Sequence, residues 1–249
     1  MSTFVRAISR HVLFAGTFCT ATTVASVTYT QYNKRGTRSD GTRVIVPLIA
    51  ANAAVFGLFW FPPAQRMLAK HFMHDIRSGP WSMLLSTFAH MEPVHLLFNM
   101  VGLYTFGHTL HAALGDAQFL AFYANAGVLS SLVSHAAKVR AVNFAPSIGA
   151  SGAIYGLMAA TTFLNPFSRF TFILVPFFSF PAYALLPAIL AVDCAGVLLR
   201  WRRFDHVAHL GGAVAGGGMI AGLCSVYGFS PPWLRDLLKK NQAPPPRGN

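Results

Sequence analysis

The stretch "SIGASGAIYGLMAATTFL", residues 147–164, sets a serine, Ser151, between small residues at the mouth of an apolar run. Apolar runs of this kind recur along the chain, at roughly 11–30, 44–62, 92–110, 117–136, 149–165, 182–199 and 206–227. A helix needs about 20 such residues to cross the hydrocarbon layer. The 249 residues are 54% hydrophobic and only 10% charged, whereas a soluble domain carries about a quarter charged residues. Lipid offers no partners to backbone N–H and C=O groups, so spans of this composition must be helices. The polar alternation of a membrane β-barrel is missing. The sequence therefore predicts an all-α polytopic membrane protein, with one N-terminal span, a basic linker and a core of six spans. The apolar segment 170–181, "FTFILVPFFSFP", is broken by Pro176 and Pro181 and reads as a partly embedded connection.

Three parts follow from this layout. Residues 1–43 hold a targeting region, the extra span and the linker; 44–228 hold the core; 229–249 form a polar tail. The tail ends in "KKNQAPPPRGN", too polar and proline-rich to bury a core, and reads as disordered. The N-terminus carries Arg6 and Arg10, many Ser and Thr, and no acid before Asp40, a mitochondrial transit character. An ordinary membrane helix with a basic flank has the same features. The loop 63–80, with two prolines at its start, reads either as a segment lying in the interface or as a plain amphipathic connector.

The formal charge of +12 sits in loops. Without a basic stripe interleaved with aromatics, it points to anionic lipid headgroups and not to nucleic acid. Lys and Arg divide almost evenly between the two sides, so their count does not orient the chain. Cys19, Cys194 and Cys224 form no CxxC pair and read as small helix-packing residues.

Polar groups inside membrane spans are costly, and four stand out: His95, Asn99, Ser151 and His209. In "HMEPVHLLFNMVG", Pro93 suits a helix first turn, and His95 and Asn99 share a face at i and i+4. Two polar side chains satisfying each other across a bundle would look the same. Ser151 falls in the first turn of its span, where free N–H groups gather. Gly149 and Gly152 admit another chain closely, although most membrane serines are only small packing residues. In "FDHVAHLGGAVAGGG", Ala208, Gly212 and Gly216 repeat every four residues, as Gly152 and Gly156 do. Both patterns permit close helix contact. If these faces meet, His209 is carried toward Ser151. Alternating topology brings all four polar residues to one membrane depth.

A serine hydroxyl is a weak nucleophile that needs a base. Neutral His209 can take its proton and return it to a leaving amine. His95, Asn99 and the Ser151 N–H can hold an oxyanion. Asp193 lies too far along the sixth span to be assigned as a third triad member, and its role stays open between pairing across helices and sitting near a gate. Asp205, four residues before His209, could orient the ring but reads instead as a helix N-terminal charge. The expected unit is a Ser–His dyad.

GASG at 149–152 with Tyr155, the His95-to-Asn99 spacing and "AHLGGAVAG" at 208–216 together resemble the rhomboid intramembrane serine proteases. "LLSTFAHMEPVHLLFNM", "PSIGASGAI", "FDHVAHLGG" and the span "FAGTFCTATTVASVTYTQY" are similar to the mitochondrial rhomboid subfamily, as is the one-plus-six layout. The resemblance implies a six-helix rhomboid core. It implies Ser151 as nucleophile, His209 as base, and His95 and Asn99 as oxyanion donors. Tyr155 would stack on His209, and a polar cavity would admit water. The reaction implied is peptide-bond hydrolysis in or beside the helix of a single-pass membrane substrate, with no metal and no cofactor. The compartment implied is the mitochondrial inner membrane. The resemblance leaves the oligomeric state open. Where many rhomboids carry Trp-Arg in the first core loop, this chain has Trp81 and Ser82.

Four other functions compete. "HMEPVH" has the spacing of a desaturase box and His206 lies three residues before His209, but no HxxHH box appears, acids number seven and the ten histidines are scattered. A transporter would show internal repeats, which are lacking. A non-catalytic rhomboid-like protein that binds membrane helices is the nearest alternative, but such relatives usually lack the serine or histidine. "GASGA" is not the GxSxG of an α/β-hydrolase.

Overall fold

The computed structural model describes residues 3–32, 40–143, 145–172, 175–201, 203–228, 230, 231 and 233–235. Most of the basic linker and nearly all of the C-terminal tail read from the sequence lie outside the described residues. The chain runs as α1 (Thr3–Tyr32), α2 (Thr42–Leu58), α3 (Pro62–Phe72), α4 (Ser82–Leu85), a 3₁₀ turn (Ser86–Phe88), α5 (Pro93–Leu114), α6 (Asp116–Ala141), α7 (Ser151–Leu164), β1 (Arg169–Phe172), β2 (Val175–Pro181), α8 (Ala182–Leu198) and α9 (His206–Val226). Each of the seven apolar runs becomes a helix.

Helix boundaries follow local chemistry. Pro93 opens α5, where its missing N–H is no loss. Asp205 caps α9 by accepting from the Ala208 N–H at 3.1 Å. Gly115 alone separates α5 from α6, and its φ of 75° lets the chain reverse in one residue. The segment read as an embedded connection is instead an antiparallel hairpin, with Arg169 opposite Pro181 and Phe180 paired to Phe170. Aromatic and β-branched residues favour this pleated form, and Arg169 fastens it by donating to the Ser179 hydroxyl and carbonyl. The hairpin is the one departure, among the described residues, from the all-helical expectation. The loop 63–80 contains α3, whose Leu68 is buried while Arg66 and Lys70 are exposed.

The outer surface is apolar, unlike that of a soluble bundle. Leu13 and Val214 are 73% and 77% exposed, as lipid-facing side chains should be. The interior joins an apolar core around Ile45, Leu103, Leu110, Phe119 and Leu157 to buried polar groups, among them Asn99, Asn125, Ser130, Ser131, Ser134 and His135. Helices α1, α6 and α9 are long and apolar enough to cross a membrane, and α2, α7 and α8 are shorter apolar helices. Helix α7 packs against α5, α6, α8 and α9, and nine of its 14 residues are buried. At 1.5 Å per residue it spans only about 21 Å, less than the ~30 Å hydrocarbon core. One end therefore lies at depth within the protein. Helix α1 packs on the outside of α6, where Thr22 donates to the Asn125 side chain at 2.7 Å.

The small-residue faces of α7 and α9 meet. A Cβ on Gly212 would collide with the Gly152 carbonyl, and one on Gly216 with the Gly156 carbonyl. This is the close contact that the glycine spacing predicts. The three cysteines are free.

Candidate active site

The chain before α7 is irregular, and backbone at this depth is tolerable only when protein supplies its partners. The segment 59–92 supplies them. His74 and Ser147 exchange both backbone hydrogen bonds, at 3.1 and 2.7 Å. The Gly149 N–H donates to the Ser86 carbonyl at 2.9 Å, and the Ala150 N–H points at His90 Nε2, 3.4 Å away. Gly149 has φ +113°, and a Cβ there would sit 2.7 Å from the His95 ring. Only glycine satisfies both conditions, and the result is a narrow contact between the turn and His95.

Ser151 opens α7. Its hydroxyl lies 2.9 Å from His209 Nε2. The opposite ring nitrogen, His209 Nδ1, lies 2.8 Å from Asp193 Oδ1. A carboxylate only accepts, so the proton belongs on Nδ1, which leaves the Nε2 lone pair facing the serine hydroxyl. Tyr155 stacks on His209 with centroids 4.4 Å apart and planes 13° from parallel. Asp193 is thus brought next to the histidine, contrary to the expectation that it lies too far along α8. It sits level with the start of α9 because α8 and α9 run antiparallel across a short turn. His206 Nδ1 also donates to Asp193 Oδ1, at 2.6 Å. Gly196 makes room for the His206 ring, since a Cβ there would overlap it.

Sequence reading left Asp193 outside the catalytic unit and met His206 only as a rejected metal ligand. The available signal was a single acid inside the apolar run 182–199, a placement too costly to be accidental. The histidines judged scattered in sequence are grouped in space. Asp193, His206 and His209 form one trio, and His11, His74 and His135 form another.

His95 and Asn99 both lie at the Gly149 turn. The Asn99 amide donates to the His95 carbonyl at 2.9 Å, and its second N–H remains for another acceptor. A cavity of about 20 Å³ beside Ser151 is lined by Ser86, Ser130, Ser131 and Ser147 among others. That is room for about one water molecule among hydroxyls able to hold it.

The entrance of α9 is fixed by a second polar cluster. Asp205 Oδ2 accepts from Lys138 at 2.7 Å and from Ser134 and Ser147 at 2.6 Å each. Burial favours the neutral acid, but the Lys138 charge and these hydrogen bonds outweigh it and hold the Asp205 carboxyl at about 2. The helix N-terminal role expected for Asp205 agrees with its cap on α9. The first core loop, which lacks the Trp-Arg pair, is anchored differently. The Ser82 hydroxyl contacts His74 Nδ1 and the Gly79 carbonyl, both at 2.6 Å. Burial, and then the neighbouring His135 and His11, lower the His74 pKa to about 3.

These features define a polytopic helical protein with a serine, a histidine and an aspartate in a line of contacts of 2.9 and 2.8 Å. The family model of the rhomboid domain matches residues 77–226, and the chain belongs to the rhomboid family, whose members are generally intramembrane serine proteases. It is 44% identical over 180 residues to the presenilin-associated rhomboid-like protein, mitochondrial, of Mus musculus, covering 72% of this chain and 48% of that protein. The Homo sapiens counterpart is 43% identical over the same shares. Rhomboid protein 1, mitochondrial, of Saccharomyces cerevisiae is 36% identical over 179 residues, 70% of this chain and 51% of that protein. The chain spans about half the length of these curated relatives.

Proposed function

We propose that this chain is an intramembrane serine endopeptidase of the mitochondrial inner membrane, acting on single-pass membrane proteins in or beside their spanning helices. The observation that carries the reading is the alignment of Ser151, His209 and Asp193 through contacts of 2.9 and 2.8 Å. The compartment is carried over from the names of the mitochondrial relatives. Residues 1–43 act in targeting and anchoring, 44–228 form the catalytic core, and 229–249 are a polar tail.

In this mechanism His209 Nε2 removes the Ser151 proton as Oγ attacks the scissile carbonyl. Asp193 holds the histidine tautomer and stabilises the imidazolium that forms. The Ser151 N–H at the start of α7, with His95 and Asn99, receives the oxyanion. His209 then protonates the leaving amine, and water from the serine-lined cavity hydrolyses the acyl enzyme. This chemistry needs no cofactor. Tyr155 keeps the His209 ring in plane, and His206 holds the Asp193 carboxylate.

The reading is tested by labelling the purified protein with a fluorophosphonate and mapping the adduct by mass spectrometry. Modification at Ser151 that is lost in His209→Ala supports an activated serine. Equal labelling of Ser151 and other serines, unaffected by His209→Ala, contradicts it.

A further inference from the structure

We propose that His11, His74 and His135 form a three-imidazole site for a divalent ion of zinc's class, clamping α1 to the core. The three residues come from α1, from the loop after α3 and from α6, and all three are 0% exposed. One ring nitrogen from each lies within 4.8 Å of the others.

Their partners fix the protons. His11 Nε2 lies 3.1 Å from the Ser78 carbonyl, which only accepts, so Nε2 carries the proton and Nδ1 the lone pair. The Ser82 hydroxyl gives its proton to the Gly79 carbonyl and so accepts from His74 Nδ1. This leaves a lone pair on His74 Nε2. His135 Nδ1 lies 3.0 Å from that atom. Ligand nitrogens around tetrahedral zinc are ~3.3 Å apart, given Zn–N bonds of about 2.0–2.1 Å. The His74–His135 pair is therefore already at ligand spacing. An ion between them replaces the shared proton, which moves to His135 Nε2, so all three rings stay neutral. The bonds from His11 to the Ser78 carbonyl and from His74 to Ser82 are of the outer kind that orient metal-bound histidines.

The Arg10 guanidinium also donates to the Ser78 carbonyl, at 2.9 Å, from an exposed position where solvent screens its charge. Lys138, one turn beyond His135, is paired with Asp205, and Asp75, next to His74, is paired with Arg77. An all-imidazole set favours zinc, copper or nickel over magnesium or calcium.

The test uses the full chain purified in detergent, stripped with chelator and titrated with Zn²⁺ or Co²⁺. One equivalent of zinc should bind and raise the thermal midpoint by several degrees. The effect should be lost in His11→Gln and in His135→Gln and retained in His209→Gln. X-ray absorption at the zinc edge of the wild type should count three imidazoles and no carboxylate. That measurement decides the matter even where a variant fails to fold, because the trio at His209 includes Asp193. No bound zinc, a carboxylate ligand, or binding unaffected by His11→Gln would overturn the proposal.

Discussion

The proposed reaction turns on a few atoms. Ser151→Ala and His209→Ala should each abolish cleavage while leaving folding intact, as read from activity beside a thermal melt. Asp193→Asn keeps the shape but can donate to His209 Nδ1, which favours the wrong tautomer. It should lower turnover by roughly two to four decades without a matching loss of thermal stability. Asn99→Ala removes one oxyanion donor and should slow turnover by roughly one to three decades; an unchanged kcat would remove Asn99 from that role. Ser151, His209, His95 and Asn99 were legible as candidates because each is a polar residue in an apolar run, at a spacing that fixes its face. Asp193 and His206 were not. Their placement depends on how α8 returns beside α9, and no local spacing encodes that.

At the scale of elements, two contacts hold the site in place. Helices α7 and α9 touch backbone to backbone at Gly152–Gly212 and Gly156–Gly216. A leucine at 212 cannot fit without separating them, so Gly212→Leu should lose activity and thermal stability together. The second contact is the Asp205 cluster at the entrance of α9. Asp205→Ala removes the cap and leaves the Lys138 ammonium buried without its counter-charge, a loss of about 3 kcal/mol or more. Lys138→Met in the same chain should recover part of that loss in a thermal melt. Because the folded Asp205 carboxyl sits near 2, below its unfolded value of about 3.9, its contribution is full above about pH 4. It fades as pH falls toward 2, so stability between pH 5 and 8 should not depend on this group. The helices themselves were legible from apolar run length. The hairpin at 169–181 was not, because two prolines in an apolar segment mark a break without stating what replaces the helix.

Among the described residues, large apolar side chains face outward while polar groups share the interior with an apolar core, and the short α7 brings a hydroxyl to a depth where lipid would otherwise exclude water. Composition alone made the apolar outer surface legible, since so few charges cannot cover a soluble surface. Less legible was the attachment of α1, which lies outside the family-matched 77–226 yet reaches the core through His11 and Thr22. The decisive experiment is cleavage of a model single-span substrate in liposomes by purified wild type and Ser151→Ala, with products identified by mass spectrometry. Cleavage within or beside the spanning helix by wild type alone is the predicted result. Cleavage by both proteins, or by neither under conditions where the substrate binds, would contradict a serine protease and point to a protein that only holds membrane helices.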